Sequence, residues 1–170
     1  MQSITAYHAM QISITDQPAG APCSPGVQAV PGESPARARL AALALGSPLA
    51  EGRRPAGPLL MVGETDAWLE MDGTEVRVAF DSASMRHRRR GGQNELLGRA
   101  VGVKAERKPL IWDATGGLGR DAFVLADLGC HVTLTERIPA VAWLVNEAVN
   151  AASVSAYQQI REAAARMTVI

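Results

Sequence analysis

The chain has 170 residues, 47% of them apolar and only 4% aromatic, which is enough for one ordinary core or for a small lobe plus part of a larger one. Its 17 Lys and Arg residues balance its 17 Asp and Glu residues, so the overall charge excludes a long-range attraction to a polyanion, and any nucleic-acid contact must come from local clustering. A basic and apolar N-terminal leader, a run of about 18 apolar residues and a Cys-x-x-Cys pair are all missing, so we expect a reduced cytoplasmic protein without an export signal, a membrane span or a metal site.

Residues 1–58 contain eight of the ten prolines, which interrupt any periodic pattern before it can build an element. We therefore expect a poorly ordered, Pro/Gly/Ala-rich N-terminal region. One exception is the stretch from Ala36 to Leu45, whose Ala, Arg and Leu residues predict a short helix that ends at Gly46.

Residues 59–108 have the pattern of a small β-hairpin lobe followed by a basic linker helix. From Ala67 to Phe80, apolar and polar residues nearly alternate on both sides of Asp72-Gly73. An Asp-Gly pair between two such runs predicts a hairpin, because a type I′ turn needs positive φ at both central residues. After a basic stretch, the segment from Asn94 to Val103 is predicted to form a helix.

Residues 109–170 have the pattern of a partial parallel α/β domain. A short apolar run typical of a buried strand, Leu110 to Trp112, is followed by a glycine-rich segment, a helix and a second strand, and this order predicts a βαβ unit with parallel strands. The elements predicted after the glycines are a helix at Arg120 to Leu128, a strand at His131 to Thr135, helices at Pro139 to Asn150 and Ala151 to Arg166, and the start of a third strand at Met167 to Ile170.

The glycine-rich segment is a candidate cofactor loop. Its sequence is Asp113-Ala114-Thr115-Gly116-Gly117-Leu118-Gly119, and glycines in such a turn let a ligand approach the backbone beside the N–H groups of a helix N-terminus. Glu136 ends the second strand, where an acid that binds ribose hydroxyls is expected. Because Gly117, Gly119 and Ala122 also match the dinucleotide fingerprint, the pattern fits both S-adenosylmethionine and a nicotinamide cofactor.

Two features favour S-adenosylmethionine. The Asp113 carboxylate would be desolvated beside a pyrophosphate and would repel it, but it can pair with the methionyl ammonium group. The consecutive glycines Gly116 and Gly117 widen the loop beyond a tight dinucleotide turn. An NAD-dependent oxidoreductase stays open as the alternative.

Each candidate also has an interpretation without a ligand. The glycines could serve only a strand-to-helix turn, Asp113 could be an N-cap of the following helix, and Asp121 could simply complement the helix dipole. Arg120 and Arg137 could be surface charges without a role. Trp112 and Trp143 are expected in the core rather than as stacking platforms.

A basic run precedes the cofactor segment and is a candidate RNA contact, comprising Arg86, His87, Arg88, Arg89 and Arg90. Arginine side chains match phosphate geometry, and the run lies where a substrate RNA would have to be held. The alternative is a solvated linker between lobes. We do not expect a histidine base here, because methyl transfer from a sulfonium needs alignment more than a strong base.

These motifs occur together in a known family. The string from Asp113 to Ala126, the run His87-Arg88-Arg89-Arg90-x-Gly92 and the segment Glu136-Arg137-x-Pro139 resemble the ribosomal RNA small subunit methyltransferase J family. The similarity is dense from about residue 86 to 145 and thinner back to about 59. It implies an α/β fold with an incomplete Rossmann-like methyltransferase domain and a small N-terminal β-containing lobe.

The resemblance also implies an activity and a set of site residues. It implies methylation of the exocyclic N2 amine of a guanosine in small-subunit ribosomal RNA, with S-adenosylmethionine as donor and with the guanine splayed out of its stack. The cofactor-binding pairs of the family correspond here to Arg120 with Asp121 and to Glu136 with Arg137.

One departure from the family concerns catalysis. The family has an Asp-Pro-Met-Phe-Pro motif, whose carboxylate and backbone carbonyl would accept hydrogens from the target amine, and no Asp-Pro pair occurs in these 170 residues. A serine-containing cofactor segment expected after the third strand is missing as well. The expectation from sequence is therefore a truncated chain, inactive as it stands, with a non-catalytic RNA-binding or cofactor-binding remnant as a further alternative.

Overall fold

The structure is a computed structural model, and it describes residues 25–50, 57–90 and 92–170, without the side chains of residues 90 and 92–95. Cys23 and most of the proline-rich region predicted to be poorly ordered lie outside these ranges. The elements in chain order are β1 (Gly26–Ala29), α1 (Ala36–Leu45), β2 (Leu59–Val62), β3 (Ala67–Met71), β4 (Thr74–Val76), α2 (Ala83–Arg90), α3 (Gly92–Ala100), β5 (Leu110–Asp113), α4 (Arg120–Asp127), β6 (His131–Leu134), α5 (Pro139–Ser153), α6 (Gln158–Ala164) and β7 (Met167–Val169).

The first sheet has the order β1-β2-β3-β4, and helix α1 packs against its first two strands. Strand β1 is parallel to β2, with Val27 opposite Leu60, and the other pairs are antiparallel. Residues 26–29, on the N-terminal side of the boundary predicted at residue 58, thus lie in the same sheet as the predicted β-lobe. The predicted helix from Ala36 to Leu45 is confirmed, and Gly46 ends it with φ 57°.

The predicted hairpin is confirmed between β3 and β4. Asp72 has φ 49° and Gly73 has φ 75°, so both central residues of the turn have the positive φ that the sequence required. Strand β4 ends at Val76, earlier than predicted. Phe80 therefore lies outside the first sheet. Its ring stacks on that of Phe123 of α4, with 4.3 Å between ring centroids, in the core of the second sheet.

The segment between the sheets forms two short helices rather than one. The basic run lies in α2, and α3 ends before the predicted position at Val103, because Gly102 adopts φ 76° and the Val103 N–H donates to the Gly98 carbonyl. Met85 of α2 is buried in the same core as Phe80. The start of the basic helix is thus fixed by apolar packing.

The second sheet has the order β5-β6-β7 with all strands parallel, so the predicted βαβ unit and the third strand are confirmed. Helix α4 contacts β6, β7 and α6, and its residues from Ala122 to Ala126 are all buried. Phe123, Leu134 and Val145 are fully buried in the core beneath these helices. The helix predicted from 151 to 166 is instead broken at residues 154–157, between α5 and α6.

Strand β5 is not the buried strand that its apolar sequence predicted. Leu110 is 83% exposed and Trp112 is 73% exposed, so the prediction of a core position for Trp112 is wrong. Within the described residues, β5 pairs only with β6, and the outward face of this edge strand has no layer over it. Trp143, by contrast, packs against the core of the first sheet, as predicted.

Arg37 of α1 joins the two sheets. Its guanidinium donates to the carbonyls of Gly63 (2.9 Å) and Asp66 (2.8 Å) and forms an ion pair with Glu147 of α5. The same guanidinium lies 5.7 Å from the ring centroid of Trp143.

No helix in the described part of the chain combines the length and the apolar composition needed to cross a bilayer.

Candidate cofactor-binding site

The glycine loop lies at the carboxyl end of β5, against the end of β6. The Thr135 N–H donates to the Asp113 carbonyl (2.9 Å), and the Gly116 N–H donates to the Thr135 carbonyl (3.0 Å). The Gly119 N–H then donates to the Gly116 carbonyl (2.8 Å), which closes the turn into α4. The carboxyl ends of parallel strands are where ligands bind in open α/β sheets.

Two of the glycines are required because the loop lies directly on the core. A Cβ atom at Gly116 would lie 2.1 Å from Cγ of Leu134, and one at Gly119 would lie 2.9 Å from Cγ1 of Val145. Gly119 also has φ 68°, and Gly117 has φ 52° with no atom closer than 4.0 Å to its absent Cβ. The outer side of Gly117 is therefore open, so a ligand can approach the backbone there.

Glu136 is brought to the loop from the end of β6. Its carboxylate accepts the N–H of Gly117 at Oε2 (3.0 Å) and the N–H of Ile138 at Oε1 (2.8 Å). Each carboxylate oxygen has two lone pairs, so each keeps one for a further donor. The half-buried Glu136 thus combines an anchoring role with two free acceptor positions beside the loop.

Asp113 lies at the other side of the loop, and its Oδ1 accepts the N–H of Thr115 (3.2 Å). The N-cap of α4 is Gly119, without a side-chain cap. The alternative in which Asp113 caps the following helix is therefore wrong, and its half-buried carboxylate contributes negative charge to the loop instead.

The charged residues after the two strands have different surroundings. Arg120 and Arg137 are exposed, and Asp121, in the first turn of α4, forms an ion pair with Arg88 of the basic helix. This pair is not predictable from the sequence, because nothing in the local pattern links two residues that lie 33 positions apart.

The basic run is divided between partners. Arg86 donates to the carbonyl of Asp81 (2.6 Å), and His87 is exposed. Arg89 forms a two-bonded ion pair with Asp127 at 2.9 and 2.5 Å, with its guanidinium 5.8 Å from the Phe123 ring centroid. Arg90 belongs to the helix, but its side chain is outside the described set. Two members of the run, Arg88 and Arg89, are therefore paired with carboxylates of α4.

A separate polar cavity of about 310 Å³ lies at the far end of α4. It is lined by Asp127, Leu128, Gly129, Gln159, Glu162 and Arg166. Its charged groups are already paired, Asp127 with Arg89 and Arg166 with Glu162.

Across the described ranges, no cluster of three or more His, Cys, Asp or Glu side chains is arranged to hold a metal ion.

Comparisons with known proteins point to a methyltransferase family. Residues 59–170 match the family model described as a putative SAM-dependent methyltransferase. A ribosomal RNA small subunit methyltransferase J from Pseudomonas aeruginosa is 41% identical over 132 residues, 74% of this chain and 50% of that protein. The protein of the same name from Photorhabdus laumondii is 54% identical over 74 residues, 42% of this chain and 30% of that protein.

A solved structure agrees with the fold. The crystal structure of a SAM-dependent methyltransferase from Neisseria gonorrhoeae superposes with a TM-score of 0.70 at 31% identity, covering 85% of this chain and 59% of that one. The predicted α/β, Rossmann-like methyltransferase class is thereby confirmed. The chain spans about half or less of the length of the curated relatives named here.

Proposed function

Because the chain belongs to the putative S-adenosylmethionine-dependent methyltransferase family, we propose that its glycine loop binds S-adenosylmethionine. We further propose that the activity it serves is methylation of the exocyclic N2 amine of a guanosine in small-subunit ribosomal RNA. Such a substrate implies a cytoplasmic protein.

The observation that carries the cofactor proposal is the contact between Glu136 and Gly117. It holds an acidic side chain with two remaining acceptor positions directly against a loop whose backbone is open to a ligand. Two vicinal ribose hydroxyls are the donors that such a carboxylate suits best. Glu136 would thus orient the nucleoside, and the loop backbone would pack against it.

Asp113 supports S-adenosylmethionine over a dinucleotide. Its carboxylate lies within the loop, two residues from the Thr115 N–H that it accepts. A pyrophosphate there would face an uncompensated negative charge, whereas the ammonium of the methionyl group would form a charge-assisted hydrogen bond. Arg120 and Asp121 begin the helix after the loop, Arg137 follows Glu136, and all three are proposed as further cofactor contacts.

The RNA proposal depends on the basic helix α2. Arg86 and His87 are its exposed members, and their location just before the cofactor domain suits contacts to phosphates. Arg90 is proposed to complete this surface, whereas Arg88 and Arg89 are already paired with the carboxylates of Asp121 and Asp127. The relatives from Pseudomonas aeruginosa and Photorhabdus laumondii are named as ribosomal RNA methyltransferases, which favours RNA as the acceptor.

The chemistry that the bound cofactor would supply is an electrophilic methyl group on a sulfonium. This chain's own residues would bind and align it, since alignment rather than a strong base is the main requirement of the reaction. None of the 170 residues forms the Asp-Pro pair that the resemblance associates with the acceptor amine. We therefore assign cofactor and RNA binding to these residues and no proton-accepting step.

Calorimetric titration tests the cofactor assignment. The chain is titrated with S-adenosylmethionine and separately with NAD, using Glu136→Ala and, as a matched control, the exposed Glu106→Ala. We expect saturable binding of S-adenosylmethionine alone, lost in Glu136→Ala and unchanged in Glu106→Ala. Binding of NAD instead would establish the oxidoreductase alternative, and equal binding by both variants would remove Glu136 from the site.

Methyl transfer tests the acceptor. The chain is incubated with labelled S-adenosylmethionine and either small-subunit or large-subunit ribosomal RNA. The methylated nucleoside is then identified after digestion of the RNA. N2-methylguanosine formed only in small-subunit RNA supports the proposal. Cofactor binding without any transfer would support the alternative of a cofactor-binding remnant.

A further inference from the structure

The basic helix α2 is attached to the cofactor helix α4 at both ends of α4. Arg88 forms an ion pair with Asp121 in the first turn, and Arg89 forms one with Asp127 in the last turn. Phe80 and Met85 anchor the start of α2 in the core. Helix α2 is therefore held in one position across α4.

The two ion pairs differ in burial. The Arg89 side chain is only 10% exposed, whereas the side chains of Arg88 and Asp121 are 37% and 54% exposed. An exposed pair contributes little to folding, because water and salt screen it and ordering both side chains costs entropy. Since α2 is already fixed by Arg89 and the core residues, the Arg88 pair is not needed to hold the helix.

The position of Asp121 gives the Arg88 pair another role. Asp121 follows Gly119 by two residues, at the N-terminal end of α4, where a carboxylate beside the glycine loop is within the proposed cofactor site. An unpaired aspartate in a first turn has several accessible side-chain conformations. Contact with the Arg88 guanidinium restricts the conformations that the Asp121 carboxylate can adopt beside the loop.

We propose that Arg88 is a positioning residue for the cofactor site. It acts through Asp121, which it holds in a single orientation before the cofactor arrives. This inference rests on the proposed binding of S-adenosylmethionine and divides the basic run by role. Arg88 serves the cofactor loop, and the exposed Arg86 and His87 remain for RNA.

A double-mutant cycle on cofactor affinity tests the proposal. The dissociation constant for S-adenosylmethionine is measured for the unmodified chain, Arg88→Gln, Asp121→Asn and the double variant. We expect Arg88→Gln to weaken binding about two- to fivefold, the range of an exposed ion pair. In the Asp121→Asn background the same change should have no further effect, because the partner through which Arg88 acts is gone.

Two controls separate positioning from a structural role. Arg88→Lys keeps the charge and should restore most of the affinity, and Arg99→Gln, an exposed arginine on the neighbouring α3, should leave it unchanged. The urea midpoint of each variant should match that of the unmodified chain. Affinity for a short small-subunit RNA hairpin should not change in Arg88→Gln.

Each of the following outcomes would overturn the idea. Equal losses of cofactor affinity in both backgrounds would mean that Arg88 does not act through Asp121. Unchanged cofactor affinity with weakened RNA binding would make Arg88 an RNA ligand instead. If the unmodified chain bound no S-adenosylmethionine, the proposed function itself would fail. If Arg88→Gln bound S-adenosylmethionine as tightly as the unmodified chain, only the positioning role would be overturned.

Discussion

Gly116 has no space for a side chain, which makes the substitution Gly116→Ala a sharp test of the loop geometry. A Cβ atom there would lie 2.1 Å from Cγ and 2.4 Å from Cδ1 of Leu134. Carbon atoms in contact prefer a separation of about 3.5–4.0 Å, so the overlap is roughly 1.5 Å. Because Leu134 is fully buried, the loop itself has to move. We expect the free energy of unfolding to fall by about 3 kcal/mol, the upper range for overpacking.

Three further variants separate the clash from other effects. Gly117→Ala places a Cβ at least 4.0 Å from its neighbours, so it should cost only the left-handed backbone at φ 52°, about 1 kcal/mol. Leu134→Ala removes the atoms that clash and costs about 3 kcal/mol by itself. In the combined variant Gly116→Ala with Leu134→Ala, the loss should be smaller than the sum.

Urea denaturation followed by circular dichroism measures all four free energies of unfolding. If Gly116→Ala costs no more than Gly117→Ala, the close approach of the loop to Leu134 does not exist. Additivity of Gly116→Ala and Leu134→Ala within about 0.5 kcal/mol would also show that residue 116 does not contact Leu134, since residues in contact are expected to couple.

Three other predictions concern the helices and the edge strand. Arg89→Ala should lower the free energy of unfolding by about 2 kcal/mol, because it removes the ion-pair partner of Asp127 in a partly buried position. Replacing the exposed Arg99 by Ala should change the free energy of unfolding by less than about 0.5 kcal/mol, and equal urea midpoints for the two variants would contradict this prediction. Burial raises the pKa of the Cys130 thiol, so its contribution to stability is complete below the unfolded-state pKa of about 8.5 and is lost as the pH rises through the higher folded-state value. The urea midpoint should therefore fall at alkaline pH, and less so in Cys130→Ala; identical alkaline profiles would rule out the thiol as the cause. Trp112→Gln should change the free energy of unfolding by less than about 0.5 kcal/mol and remove the fluorescence most accessible to acrylamide, because Trp112 is 73% exposed; a large destabilisation would mean that Trp112 is packed after all.

Local sequence patterns were sufficient for the elements whose geometry is decided within a few residues. The Asp72-Gly73 turn depends on positive φ at two adjacent positions, and the sequence predicts it without knowledge of the rest of the fold. The same holds for the helix that ends at Gly46. The proximity of Glu136 to the glycine loop also followed from sequence, because adjacent parallel strands bring their carboxyl ends to one edge.

Features that depend on distant partners were not predictable in this way. Strand β1 pairs with β2 across more than thirty residues of chain, and its four residues carry no strong pattern of their own. The exposure of Trp112 is set by which strands flank β5 rather than by the apolar character of Trp112. Likewise, the sequence shows the charge of the basic run but not the partners of its arginines. Asp121 and Asp127 are recognised as those partners only in the folded chain.

The central claim is that S-adenosylmethionine binds against the glycine loop and the remaining acceptor positions of Glu136. Amide chemical shifts of the nitrogen-15-labelled chain during titration with S-adenosylmethionine test it most directly. We expect saturable shifts at the amides of Gly117 and Ile138, whose N–H groups donate to Glu136, and at Gly119, with no comparable change at Leu60 in the first sheet. Saturable shifts located elsewhere, or none at these three amides, would contradict it.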